Sequence, residues 1–184
     1  MLLKSFSPIV GKHAKILILG SMPGAASLAA QQYYAHPRNA FWPIMTQWLK
    51  IPFDVPYQYK VAALTNSPIA LWDVLHTCHR IGSLDSNIET ETQIVNDFRS
   101  FFSNHPTIKH VFFNGGKAYT SFKRSVQSRH EERQHLLLLP STSPANARMT
   151  FEEKTRIWHE KIDSVLSNGT IKSETLLVSK AQQD

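Results

Sequence analysis

The stretch AKILILG, residues 14–20, decides the fold of this 184-residue chain. It is a short, unbroken apolar run that ends in glycine, which is typical of a strand buried on both faces of a sheet. Three further apolar runs end in loop-forming residues in the same way, and each predicts a strand. They are Ile69–Leu75, Lys109–Asn114 and His135–Pro140.

Helical patterns lie between and after these strands. The predicted helices are Ala40–Leu49, Asn87–Phe102, Gly116–Val126 and Thr150–Leu166. The last of them opens with Thr150 and has Glu153 three residues on, which is the pattern of a capping box. Strands that alternate with helices predict an α/β sandwich with a mostly parallel sheet, in which ligands bind at the carboxyl ends of the strands.

Composition narrows the class of protein. The formal net charge is +6, with a sequence pI of about 9.5, which favours a polyanionic partner. The one cysteine, Cys78, excludes a disulfide within the chain and a thiolate zinc or iron–sulfur site, and we expect it to be a buried structural thiol. No apolar run approaches the roughly 20 residues that cross a bilayer. We therefore expect an intracellular, cytoplasmic protein without a membrane partner. We also expect a monomer with one domain over residues 1–166 and a polar tail over residues 167–184.

The loops after the predicted strands hold the candidate site residues. The glycines of Gly20-Ser-Met-Pro-Gly24 let the backbone approach a ligand. The segment Tyr33–Trp42 combines aromatic rings that stack on a base with an arginine that holds a phosphate. Asp73 and Asn114 offer hydrogen-bonding groups for the edge of a base, and Pro140–Arg148 offers hydroxyls and amides for a phosphate. Taken alone, each loop has a structural alternative, as a turn or as an anchor to the core.

Several other chemistries lack their motifs. The first loop has no P-loop Lys-Ser/Thr ending and no dinucleotide fingerprint. The chain has no Gly-x-Ser-x-Gly elbow, and paired carboxylates are scarce in the loops. His76 and His79 lie three residues apart, but no further ligand falls at a convincing spacing, so we predict no metal.

Three motifs in chain order carry a resemblance to a known family. Gly20-Ser-Met-Pro-Gly24, His36-Pro-Arg-Asn-Ala-Phe-Trp42 and Pro140-Ser-Thr-Ser-Pro-Ala-Asn146 together resemble the uracil-DNA glycosylase superfamily, in particular its hypoxanthine-DNA (deoxyinosine) glycosylase branch. The resemblance runs from about residue 14 to about 162. It implies a three-layer α/β/α sandwich with a four-stranded parallel sheet. It also implies monofunctional excision of deaminated bases (hypoxanthine, and uracil or xanthine) from DNA after base flipping, with no metal or organic cofactor.

The departures from the family pattern assign the catalytic roles. Met22 stands where many members have the Asp or Asn that activates water, and in the hypoxanthine branch that role passes to Asn39. An amide is a poor base, so Asn39 is expected to orient the water. Ser141 stands where many relatives have a His that stabilises the leaving base, and Asn114 is expected to assist catalysis or base reading.

The resemblance also implies the binding residues. Those expected at the base are Gly20, Ser21, Met22, Phe41 as the stacking ring, Asp73 and Asn114. Those expected at the DNA are Arg38, Lys117, Ser143, Pro144, Ala145, Asn146 and Arg148. Three alternatives stay open at this point: a uracil-specific glycosylase, a non-catalytic nucleic-acid binding module on the same fold, and a hydrolase of free nucleosides.

Overall fold

The computed structural model describes residues 2–82, 84–125 and 134–181, apart from the side chains of 85 and 168–181. In these ranges the chain forms seven strands and six helices. The strands are β1 (Leu2–Lys4), β2 (Ile16–Gly20), β3 (Ile69–Asp73), β4 (Leu75–His79), β5 (Ile94–Val95), β6 (His110–Asn114) and β7 (His135–Leu139). The helices are α1 (Ala25–Ala30), α2 (Phe41–Leu49), α3 (Tyr57–Thr65), α4 (Phe98–Asn104), α5 (Gly116–Ser125) and α6 (Phe151–Ala181).

The central sheet of the described chain is parallel, with the strand order β3–β2–β6–β7. Gly20 at the end of β2 lies opposite Asp73 at the end of β3. On the other side of β2, β6 pairs with β7 so that Asn114 lies opposite Leu139. Because all four strands run in one direction, their carboxyl ends form one edge. The predicted parallel sheet is confirmed, and Gly20, Asp73 and Asn114 lie along that edge.

Helices cover both faces of this sheet, because successive strand residues point to opposite sides and both sides are apolar. One buried cluster joins the sheet to α4 and α5, and its strand residues are Leu17, Leu19, Ala70, Trp72, Val111 and Phe113. A second cluster joins the sheet to α2, α3 and α6, and its strand residues are Ile16, Ile18, Ile69, Leu71, Phe112 and Leu139. The fold is therefore the predicted three-layer α/β/α sandwich.

The start of α6 is fixed by the predicted capping box. The Glu153 N–H donates to Thr150 Oγ1 at 3.2 Å, and the Thr150 N–H donates to Glu153 Oε2 at 2.8 Å. Further along the helix, Trp158 and Ile162 are fully buried in the second cluster. The cap therefore sets where α6 meets the sheet.

We expect Thr150→Ala to lower the free energy of unfolding by about 1 kcal/mol, because the first turn of α6 loses a side-chain acceptor. Urea unfolding followed by circular dichroism measures this change. Thr150→Ser keeps the acceptor and should match the parent chain. An alanine variant as stable as the serine variant would contradict the role of the cap.

The strand predicted over Ile69–Leu75 is wrong at its end, because it divides at Val74 into β3 and β4. The Val74 N–H donates to the Gly20 carbonyl at 2.8 Å, and the Leu75 N–H donates to the Ser21 carbonyl at 3.1 Å. β4 then forms a small antiparallel sheet with β1 and β5, which the sequence patterns did not predict. These two hydrogen bonds hold the loop that begins at Gly20 against the end of β3.

The helix predicted over Asn87–Phe102 is also wrong. Its first part holds the end of one 3-10 turn, a second 3-10 turn at Thr90–Thr92 and β5, and the helix begins only at Phe98. Ile94 is 60% exposed and pairs with β4 in the small sheet. The Asp97 side chain accepts a hydrogen bond from the Ser100 N–H at 3.0 Å, so this cap defines the helix start.

Three other predictions concern chain ends and burial. Helix α6 passes without a break through residue 166, where the sequence places the end of the domain, and residues 182–184 lie outside the described ranges. Residue 126, the predicted end of α5, also lies outside them. Cys78 in β4 is fully buried, as predicted. Within the described residues, no helix is both long and apolar enough to cross a membrane.

Candidate active site

The carboxyl edge of the parallel sheet opens into a cavity of about 850 Å³. Residues at or just beyond the ends of all four of its strands line the cavity, together with the turn before α2 and the loop after β4. The predicted site residues that line it are Gly20, Ser21, Met22, Arg38, Asn39, Asp73, Asn114, Ser141, Ser143, Pro144, Ala145, Asn146 and Arg148. Two other predicted residues, Phe41 and Lys117, are not among the lining residues.

Gly20 leaves room for two polar neighbours because it has no side chain. A Cβ atom there would lie 2.5 Å from Asp73 Oδ1 and 2.9 Å from the Tyr34 hydroxyl oxygen, well inside van der Waals contact. Asp73 is only 3% exposed. Its main-chain carbonyl accepts a hydrogen bond from Asn96 Nδ2 at 2.8 Å. The buried carboxylate is therefore held at the floor of the cavity, directly over the end of β2.

Phe41 lies behind the cavity wall rather than in it. It is fully buried, because its position in α2 turns it toward the core. Its ring stacks on that of Tyr34, with centroids 4.1 Å apart and planes inclined by 23°. Tyr34 does line the cavity. The prediction for Phe41 is corrected accordingly: Tyr34 supplies an aromatic side chain of the wall, and Phe41 packs against it from behind.

Asn39 is held by the tight turn that precedes α2. Its N–H donates to the His36 carbonyl at 2.8 Å. Its Oδ1 accepts a hydrogen bond at 2.9 Å from the Phe41 N–H, the first main-chain N–H of the helix. An amide oxygen has two lone pairs, so one acceptor position of Oδ1 remains beside the two donors of Nδ2. A fixed, half-buried amide on the cavity wall is suited to hold a water molecule.

Asn114 and Thr142 form a reciprocal pair across the ends of β6 and β7. The Thr142 N–H donates to Asn114 Oδ1, and Asn114 Nδ2 donates to Thr142 Oγ1, both at 2.8 Å. Thr142 is 1% exposed. Its carbonyl accepts a hydrogen bond from the Ala40 N–H at 3.0 Å. Thr142 therefore ties the turn before α2 and the end of β6 to the loop after β7.

Gly115 allows Ser141 to approach the end of β6. Its φ of +95° is one that residues with side chains rarely adopt, and a Cβ atom there would lie 2.8 Å from Ser141 Cβ. The Gly115 N–H donates to the Leu139 carbonyl at 3.1 Å. Ser141 Oγ accepts from the Ser143 N–H at 3.2 Å, which leaves its own O–H as a donor.

The loop after β7 is held in shape by its own hydrogen bonds. The Ala145 N–H donates to Ser143 Oγ at 3.2 Å, and Asn146 Nδ2 donates to the Ser141 carbonyl at 3.0 Å. Lys154 of α6 is 6% exposed and donates to the Asn146 carbonyl at 2.7 Å. Burial lowers the pKa of Lys154. The main-chain N–H groups of Ser143 and Ala145 already donate to serine hydroxyls within the loop. Contacts between this loop and a ligand are therefore expected from its side chains.

Charge is divided between the rim and the floor of the cavity. Arg38 and Arg148 are exposed at the rim, whereas the Asp73 carboxylate is buried.

Burial raises the pKa of Tyr33, and Asp73 raises it further, so the Tyr33 hydroxyl stays neutral and donates to the Ser7 carbonyl at 3.1 Å. Lys117 lies in the first turn of α5, outside the cavity lining.

Three lining residues that the predicted set of site residues leaves out contact residues of that set or the ring that backs the wall: Tyr34, His36 and Thr142. Tyr34 follows another tyrosine, and nothing in the local sequence shows which of the two rings stacks on Phe41. His36 belongs to the motif around Asn39, where its Nδ1 accepts from the Arg38 N–H at 3.1 Å. Thr142 lies in the hydroxyl-rich loop, but its pairing with Asn114 depends on the register of β6 and β7.

Fold and site together define an α/β/α protein with a cavity at the carboxyl edge of a four-stranded parallel sheet, whose described lining includes amides, one carboxylate and two tyrosines. The chain belongs to the uracil DNA glycosylase superfamily, whose family model matches residues 8–161. This membership confirms the resemblance carried by the three sequence motifs.

Relatives of similar length support the assignment. The chain is 35% identical over 153 residues to a protein of Methanosarcina acetivorans named hypoxanthine DNA glycosylase, covering 82% of this chain and 92% of that one. It is 36% identical over 116 residues to a protein of the same name from Methanosarcina barkeri, covering 62% and 72%. A solution NMR structure of a candidate uracil DNA glycosylase from Methanosarcina acetivorans matches with a TM-score of 0.68 and 32% identity, over 87% of this chain and 98% of that one.

Proposed function

We propose that this protein is a monofunctional DNA glycosylase that excises hypoxanthine, the deamination product of adenine, from DNA. The observation that carries the proposal is the convergence of Asn39, Asp73 and Asn114 on one cavity whose wall includes Tyr34. Two relatives named hypoxanthine DNA glycosylase, 35% and 36% identical to this chain, support the choice of base. DNA repair by base excision follows from that activity.

The proposed reaction is hydrolysis of the bond between the sugar and the base. The C1′–N9 bond breaks and its electron pair leaves with the base, so positive charge develops on the sugar ring. A water held by Asn39 forms the new bond to C1′ and releases a proton to solvent, and the departing base takes up a proton. Asn39 orients the water without deprotonating it, and the Ser141 hydroxyl donates weakly toward the leaving base. No metal or organic cofactor is needed for these steps.

The flipped base would lie against Tyr34, with its hydrogen-bonding edge between Asp73 and Asn114. An ionised carboxylate is acceptor-only, so Asp73 suits the ring N–H that hypoxanthine carries. A base in a duplex must leave the stack before such contacts form, at a cost of a few kcal/mol that is smaller for a mismatched base. Mispairing of hypoxanthine would therefore contribute to selection of the substrate.

The DNA backbone would run past the rim of the cavity. The chain carries a net charge of +6, and Arg38 and Arg148 are exposed at this rim. Positive side chains there neutralise phosphates and release counterions. The self-bonded loop from Ser143 to Asn146 offers a rigid edge to press against the strand from which the base is flipped.

We expect Arg148→Ala to weaken binding to duplex DNA and to reduce the slope of log K against log salt by about 1, because one phosphate contact is lost. Fluorescence anisotropy over a salt series measures both quantities. Arg156→Ala is the matched control, because Arg156 is exposed on α6 and pairs with Glu160 at 3.1 Å, away from the cavity lining. If Arg148→Ala and the Arg156→Ala control give the same salt slope, Arg148 does not contact the DNA backbone.

The substrate is tested by single-turnover cleavage of labelled duplexes that carry one inosine, uracil or xanthine, followed by alkali to break abasic strands. We expect rapid cleavage at inosine. Cleavage at uracil alone would move the protein to a uracil-specific role. Tight binding without cleavage of any duplex would instead support a nucleic-acid binding module on this fold.

A further inference from the structure

His36 lies on the cavity wall, in the turn before α2, and is half-buried. Its carbonyl accepts a hydrogen bond from the Asn39 N–H at 2.8 Å, so the same turn fixes both residues. Its Nδ1 accepts from the Arg38 N–H at 3.1 Å. Among the described residues, none forms a hydrogen bond with Nε2. One ring nitrogen therefore holds the imidazole in place, and the other is left for a ligand.

The tautomer of the His36 ring follows from the partner of Nδ1. A main-chain N–H only donates, so Nδ1 must present its lone pair to the Arg38 N–H and carries no hydrogen. The one N–H of this neutral ring is then on Nε2. The remaining nitrogen is therefore a hydrogen-bond donor that carries no positive charge.

The position of this donor selects among the parts of a bound nucleotide. In the proposed reaction Asn39 holds the water, and the departing base covers one face of the sugar, so the water adds to C1′ from the opposite face. A donor in the same turn as Asn39 therefore lies on the side of the sugar away from the base. Arg38, between the two residues, is exposed at the rim where the DNA backbone would run. A phosphate oxygen is the acceptor that suits this position.

We propose that His36 binds a phosphate beside the flipped nucleotide through its Nε2–H, and that it does so as a neutral donor. The inference rests on the proposed function and names a contact of that site with the DNA. Positive charge develops on the sugar as the base leaves, and the negative charge of a nearby phosphate stabilises it. A cationic side chain on that phosphate would offset part of this stabilisation, whereas a neutral N–H holds the phosphate and leaves its charge effective.

Two substitutions separate the two ring nitrogens. His36→Asn keeps an acceptor near the position of Nδ1, because asparagine side chains accept from the N–H two residues on, as Asn39 does from Phe41. It has no group at the position of Nε2. His36→Gln reaches that position with an amide N–H but lacks the acceptor close to the main chain. His13→Asn is the matched control, because His13 is exposed before β2 and lies outside the cavity lining.

We expect His36→Asn to lower the maximal single-turnover rate on an inosine duplex about 10- to 100-fold, the effect of one lost hydrogen bond to a charged group. His36→Gln should stay within about 5-fold of the parent rate, and His13→Asn should match the parent. Affinity for an undamaged duplex should stay within about 2-fold in all three, because the arginines at the rim remain. An asparagine variant at the parent rate would overturn the proposal, and so would a glutamine variant as slow as the asparagine variant.

Neutralising single phosphates identifies the acceptor. A methylphosphonate, in which a methyl group replaces one charged oxygen, is placed directly 5′ or directly 3′ of the inosine. At one of the two positions, the rate loss caused by His36→Asn should be at least about 5-fold smaller than on the unmodified duplex, because both changes weaken the same contact. A loss of the same size on both modified duplexes would overturn the proposal.

A binding measurement tests the contact without base release. A duplex with a tetrahydrofuran abasic analogue presents a sugar and its phosphates with no base to extrude. By fluorescence anisotropy, His36→Asn should bind this duplex about 10-fold more weakly than the parent, and His36→Gln should bind it nearly as the parent does. Unchanged affinity in the asparagine variant would overturn the proposal. If the parent chain cleaves none of the duplexes, this measurement still decides the contact, so a failure of the proposed function is distinguished from a failure of this inference.

Discussion

Asn39→Ala should lower the single-turnover rate of base release from an inosine duplex by at least about 100-fold, because the attacking water loses the group that positions it against C1′. Duplex affinity should change little, since the exposed arginines at the rim remain. The measurement is the rate at saturating enzyme together with the concentration that gives half of it. A fall in affinity with an unchanged maximal rate would assign Asn39 to DNA binding instead.

Two variants separate the chemical role of Asn39 from its structural one. Asn39 also accepts a hydrogen bond from the Phe41 N–H at the start of α2, so alanine should cost about 1 kcal/mol of stability. Asn39→Asp keeps an acceptor for that N–H and an oxygen for the water, and should stay within about 10-fold of the parent rate. Asn104→Ala removes an exposed asparagine at the end of α4 and should change neither quantity. An alanine variant that cleaves as fast as the Asn104 control would contradict the assignment.

Tyr34→Ala should reduce cleavage of an inosine duplex about 10- to 100-fold, because stacking of a base on an aromatic ring contributes roughly 1–3 kcal/mol. The side chain lines the cavity and is backed by Phe41 at a centroid distance of 4.1 Å. Loss of the ring would leave the flipped base without a rigid surface. The same single-turnover series measures the effect, at saturating and at limiting enzyme.

The matched variants for this prediction keep or remove a ring elsewhere. Tyr34→Phe retains the ring and loses only the hydroxyl near Gly20, and it should stay within about 3-fold of the parent. Tyr59→Ala removes a tyrosine that is 64% exposed on α3, outside the cavity lining, and should have no effect. A phenylalanine variant as slow as the alanine variant would assign the role to the hydroxyl rather than to stacking.

The parallel sheet was predictable because its four strands are short apolar runs that stop at loop-forming residues. Burial on both faces makes such runs continuous, and β2 from Ile16 to Gly20 is wholly buried as that pattern requires. The small second sheet was not predictable, because β1 has three residues and β5 has two. Strands of that length depend on partners that are distant in sequence.

Two errors have a common physical cause. The apolar spacing of Asn87–Phe102 resembles a helix, but the cap at Asp97 and the pairing of Ile94 with β4 override it. In the site, the aromatic residue that starts α2 was predicted to stack on a base, but the second cluster buries it completely. In both cases the local sequence is compatible with two arrangements. Tertiary packing decides which of the two arrangements forms.

The central claim is tested most directly by identifying the products of one turnover on a duplex that contains a single inosine. Mass spectrometry of the reaction should find free hypoxanthine and an unbroken strand with one abasic site, in equal amounts. A matched duplex with adenine in the same place should be recovered unchanged. Recovery of the inosine duplex intact after saturating binding would contradict the assignment of this cavity to base excision.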